Sequence, residues 1–117
     1  MNIHGKITFE KGAPSFRNAD LHLCLEDVSE ADAASSPIVQ TTLHGVSWSG
    51  KLAETREFVL KVAQVLAPNR QYQVRAHLDL QRTGQVAVRD FVSAKSYPID
   101  PSARVQRLSL QLRWLKP

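Results

Sequence analysis

"KLAETREFVLKVAQVLAPNRQYQVRA", residues 51–76, is the stretch on which the fold turns. Two readings compete over its first half. Leu52, Val59, Ala63 and Leu66 lie at helical spacing among good helix formers, whereas Phe58, Leu60 and Val62 alternate as in a strand buried on one face. The second half arbitrates. "LAPNRQYQVRA", residues 66–76, runs Leu-x-Pro, a short turn, then Tyr-x-Val-x-Ala. In β-sandwiches a tyrosine entering a strand this way turns its hydroxyl back onto upstream backbone, the tyrosine corner. That geometry requires a strand leading into the turn, so Arg56–Val62 is expected to be a strand and Tyr72 a structural residue.

Working outward, period two recurs along the chain. Ile3, Gly5, Ile7 and Phe9 share one face, as do Leu21, Leu23 and Leu25, then Tyr72, Val74, Ala76, Leu78 and Leu80, then Leu108, Leu110, Leu112 and Trp114. The intervening positions are mostly polar, the pattern of antiparallel sheets with one buried face. "SPIVQTTL" (36–43) and "GQVAVRDFV" (84–92) add two weaker strands rich in β-branched residues. Thr83-Gly84 reads as a hairpin break, and "YPIDP" (97–101) as the end of the sixth strand, because proline cannot donate to a ladder. The sum is an all-β fold, expected as an antiparallel β-sandwich of seven to eight strands, immunoglobulin- or transthyretin-like, with residues 1–117 forming one domain.

The charge is divided. Residues 18–50 hold five acids and no Lys or Arg, whereas residues 51–117 hold twelve bases and five acids. The bases are spread singly over polar strand positions, without aromatic stacking pairs, which argues against nucleic acid as a partner. No stretch approaches the roughly 18 apolar residues of a membrane span. "MNIHGKITFE" has neither an apolar signal core nor a lipidation cysteine. Two expectations follow: a cytoplasmic protein as written, or a mature domain whose export segment was removed. Cys24 is the only cysteine, mid-strand among leucines, and reads as a small buried thiol.

Catalytic signatures are missing: no GxSxG, Walker loop, GxGxxG or HExxH occurs. His4, His22, His44 and His77 are scattered singly. His4, His22 and His77 could converge on a metal from polar faces of different strands, but no ligand spacing supports it, and they read as solvated. Glu26, Asp27, Glu30 and Asp32 crowd into seven residues, yet in a Ser/Ala-rich turn without the alternating order of a calcium loop. No catalytic residue, cofactor or metal is assigned on this basis.

Together these residues resemble the YbaY/YscW family of small bacterial lipoproteins. The family pattern G-x-V/I-x-Y/F, then L-x-D-V-S-x-A-D, is matched by Gly5, Leu25, Asp27, Val28, Ser29, Ala31 and Asp32. Its continuation F-x-L-x-V/Y, a Pro turn and Y-x-V-R-A is matched by Phe58, Leu60, Val62, Pro68, Tyr72, Val74, Arg75 and Ala76. The resemblance implies a small β-sandwich, exported and lipid-anchored in most members, whose type III secretion representatives are pilotins that help place the secretin ring. The expected function is therefore a non-enzymatic interaction domain of the bacterial envelope. Its partner would be a protein or peptide segment of a secretin-like component. A carbohydrate- or small-ligand-binding sandwich is the alternative. The run from Asp27 to Asp32 is expected to fix the corner where the second strand leaves its sheet, with Asp27 and Ser29 bonding turn amides beside Asp32 and Tyr72. Glu26 and Glu30 are expected to point outward for docking, joined by an exposed Trp48.

Overall fold

The computed structural model describes residues 1–30 and 32–117, so the family match at Ala31 lies outside the described residues. Eight strands, and no helix among the described residues, make up the fold. They are β1 (Asn2–Phe9), β2 (Phe16–Asp27), β3 (Ser36–Trp48), β4 (Arg56–Lys61), β5 (Tyr72–Asp79), β6 (Phe91–Ser93), β7 (Tyr97–Ile99) and β8 (Val105–Trp114). The contested segment is the strand β4. It ends at Lys61, one residue short of expectation, and Val62 continues the edge by donating its amide to the Met1 carbonyl at 2.9 Å.

All eight strands belong to one sheet. Its order is β3-β2-β5-β6-β8-β1-β4, with β7 added to β5 beside β6. The expected antiparallel sandwich is corrected here. β1 runs parallel to β8 over Asn2–Phe9 and Val105–Leu112, so the sheet is mixed, and it curls into a nearly closed barrel. The reason lies in the apolar faces. One row of leucines on β8 and one row of Ile and Phe on β1 must meet the same interior, and a single curled sheet buries both without a second layer. Ile3, Ile7, Leu21, Leu25, Leu78, Leu110 and Leu112 are fully buried inside it.

Gly5 shows how tight the interior is. It pairs with Phe58 on β4 and Leu108 on β8. The outer edge of the Phe58 ring occupies the place where a Cβ would otherwise stand.

Two expected strands are corrected. Of residues 84–92 only Phe91 and Val92 join a strand, and residues 80–90 form a loop instead. Val86 and Val88 in that loop are 56% and 64% exposed; their branching mimics a strand without any burial behind it. "YPI" (97–99) does not merely end a strand but is one, β7, pairing Tyr97–Ile99 with Val74–Tyr72. Pro98 is tolerated because β7 is short and pairs on one side.

Candidate functional site

Three regions gather the candidate side chains. The first is the corner at the end of β2. Asp27 Oδ1 accepts the Ser29 amide at 2.9 Å, and its Oδ2 accepts the Arg70 guanidinium. Ser29 Oγ accepts the Gln71 amide at 2.8 Å, and Val28 N donates to the Gln71 carbonyl at 2.9 Å. The turn before β5 is thereby stitched to the exit of β2. Within it the Tyr72 hydroxyl accepts the Ala67 amide at 3.0 Å. The Arg70 hydrogen bond, helped by those from Ser29, lowers the Asp27 carboxyl from 3.8 to about 2. Asp32 is exposed.

The expected docking residues are arranged otherwise. Glu26 does not point into solvent: it is 3% exposed, and it accepts Gln73 Nε2 at 2.7 Å, Ser35 Oγ at 2.7 Å and Arg75 Nε at 3.3 Å. The register causes this, because Glu26 stands directly opposite Gln73 on β5, and Arg75, two positions along and opposite Cys24, faces the same side. Burial by itself would raise its pKa, but the bonds from Gln73 and Ser35 and the Arg75 charge outweigh it and keep the carboxyl low. Trp48 is not exposed either. Its ring is buried against Phe9 at 5.0 Å, and its Nε1 donates to the Lys51 carbonyl at 2.9 Å. Glu30 remains exposed, with Arg70 Nη2 at 3.5 Å. The acidic corner is thus partly neutralised by two arginines, Arg70 and Arg75.

The second region is the outer face of β2 and β5, covered by the 80–90 loop. His22 and His77 are cross-strand partners, with ring centroids 5.4 Å apart. They are not free in solvent as expected; His77 is 6% exposed. His22 Nε2 meets Asp79 Oδ2 at 3.0 Å, and His77 Nε2 meets Asp90 Oδ2 at 2.8 Å. His4 does not join them: its strand, β1, lies on the far side of β6 and β8 from β5. Cys24, also on this face, is buried, which pushes its thiol pKa up against the pull of Arg75. Asp79 and Asp90 were not singled out from sequence. The available signal was weak: each sits at one end of a polar loop, and only the strand pairing brings those ends together.

The third region is a cleft of about 650 Å³ at the opening of the barrel. β3 and β4 terminate the sheet, each paired on one side only. Leu43 of β3 and Arg56–Val59 of β4 both line the cleft, with Leu108 of β8 and the basic His4, Lys6 and Arg107. Its lining therefore mixes apolar side chains with charge, Lys6, Arg56 and Arg107 against the acid Glu57, beside two unpaired strand edges.

The same architecture occurs in an alternative pilotin from the type II secretion system of Vibrio cholerae. The two match with a TM-score of 0.71 at 17% identity, over 100% of this chain and 98% of the pilotin. At that identity the likeness is one of fold. No curated protein sequence matches the chain. Residues 1–111 match the family model of the type III secretion system lipoprotein chaperone YscW, nearly the whole of the chain. The protein belongs to the YscW family.

Proposed function

We propose that the protein is a non-enzymatic, pilotin-like accessory of a bacterial secretion system, and that it receives an extended segment of a secretin-like partner in the cleft between β3 and β4. The observation that carries this reading is the pair of free strand edges lining one cleft. Each edge presents unpaired N–H and C=O groups, and an added strand satisfies them while its alternate side chains enter the apolar floor. The family and the pilotin fold support the class of partner. The basic lining favours a segment in which apolar and acidic residues alternate.

The alternative, a carbohydrate- or small-ligand-binding sandwich, finds no support at Trp48, because the ring is buried in the aromatic cluster. Steering by the acidic corner is reduced to Glu30 and Asp32, since Glu26 is buried and Asp27 is paired.

The test is a set of peptides tiling the secretin-like partner, titrated against the wild-type protein and two variants. Leu43→Arg is expected to weaken binding at least tenfold by placing a charge on the apolar floor, while Glu30→Gln leaves it within about twofold. Equal affinity in Leu43→Arg, or a loss confined to Glu30→Gln, would move the site from the cleft to the corner.

A further inference from the structure

We propose that His77, Asp79 and Asp90 form a binding site for a divalent transition cation of the zinc type, seated beneath the 80–90 loop. Residues 77 and 79 of a strand face the same side, and β6 pairs with β5 at His77↔Val92, which brings Asp90 alongside. One donor atom from each of the three lies within 4.8 Å of the others, and all three residues are buried. Zinc bonds of about 2.0–2.1 Å at tetrahedral angles set ligand atoms about 3.3 Å apart. The His77 Nε2–Asp90 Oδ2 separation of 2.8 Å is that of a hydrogen bond, so a cation takes the place of the shared proton and spreads these two donors by about 0.5 Å.

Charge points the same way. Asp79 and Asp90 are 1% and 2% exposed, on one spot of one face. Buried carboxylates require a compensating charge or a metal. Arg75, a cation on the same face of β5, is engaged by Glu26 at 3.3 Å. Each carboxylate faces an imidazole instead, Asp79 that of His22 and Asp90 that of His77; a divalent ion adds to that balance, and the imidazole nitrogen selects zinc-like ions over calcium or magnesium.

The surroundings also hold the carboxylates in place, as outer groups do around metal ligands. Asp79 accepts the Thr83 amide at 3.1 Å, the Gly84 amide at 2.7 Å and His22 Nε2 at 3.0 Å. Asp90 accepts the Leu80 amide at 3.0 Å and the Ala87 amide at 3.0 Å. His22 is itself fixed by Thr42 Oγ1, 2.9 Å from its Nδ1. Three protein donors leave a fourth position, open to water. In this role the cation locks the 80–90 loop onto the sheet, independently of the cleft, which is lined by other residues.

Calorimetric titration of the metal-free full chain with zinc, and with calcium as a control, tests the site. One zinc per chain is expected, with calcium silent. Asp90→Asn and His77→Gln should each weaken zinc at least tenfold, and His22→Gln should weaken it about 10- to 100-fold as an outer partner. His44→Ala, which alters the separate His44–Asp20 pair on the surface, should leave binding unchanged. Should either ligand variant fail to fold, the visible absorption of a cobalt-loaded wild-type chain still reports tetrahedral nitrogen and oxygen ligation. No stoichiometric zinc, binding lost only in His44→Ala, or an octahedral cobalt spectrum would overturn the site and leave the two His–Asp pairs as a metal-free clamp.

Discussion

Asp27 is tied to the turn before β5 by Arg70 and Ser29, and this bond set has a definite pH signature. Its carboxyl titrates at about 2 in the folded protein against an ordinary 3.8. A lowered folded-state pKa means that the ionised form favours folding. The contribution is complete above the unfolded value and fades as pH falls from about 4 through about 2. Denaturant melts of Asp27→Asn across this range should therefore lose part of the wild-type acid dependence while changing little in shape near neutrality. An unaltered acid limb would mean that Arg70 does not hold the carboxylate. Tyr72→Phe removes the acceptor of the Ala67 amide and is expected to cost about 1 kcal/mol in the same melts; an unchanged midpoint would refute the hydroxyl's structural role. Tyr72 was legible in the sequence because its bond is local, five residues back. Glu26 was not. Its partners Gln73 and Arg75 lie 47 and 49 residues away, and only the β2–β5 register reveals that this acid is spent inside the protein. Trp48 was misread for a related reason. Its glycine and serine neighbours look like a loop, while the buried cluster that takes its ring is assembled from Phe9 and Phe91 elsewhere in the chain.

Among the elements, β1, β2, β5 and β8 could be read directly, because each alternates apolar and polar residues over several positions and turns its apolar row inward. β4 needed the argument from the following turn, since its residues suit a helix as well. The 80–90 loop could not be read at all from propensity. Val86 and Val88 carry the branching of a strand, but Asp79 and Asp90 bind the loop amides that a ladder would need. Local side-chain bonds of this kind compete with sheet pairing. The β1–β4 pair offers the sharpest test at this scale. The Phe58 ring occupies the space of a side chain at Gly5, an aromatic packed against a strand glycine. Gly5→Ala must push that ring away and is expected to destabilise the fold by about 1–3 kcal/mol. Combining it with Phe58→Leu should recover part of the loss, read as a non-additive double-mutant cycle. Strict additivity would show that the two positions do not share the space.

At the scale of the whole molecule, the pattern of apolar faces fixes that the chain is all-β but not how the strands are ordered. The parallel pairing of β1 with β8 joins residues about a hundred positions apart, and nothing in the alternation of either strand marks its neighbour. That pairing leaves β3 and β4 as the two free edges with a cleft beside them, and the proposed function rests on this consequence of topology. Hydrogen exchange on the complex with a secretin-like segment addresses it most directly. Amides of Ser36–Trp48 and Arg56–Lys61 that face the opening should gain protection on binding, because an added strand takes up those edges. The corner at residues 26–30 should exchange as in the free protein. Protection confined to that corner, with both edges unchanged, would contradict the account.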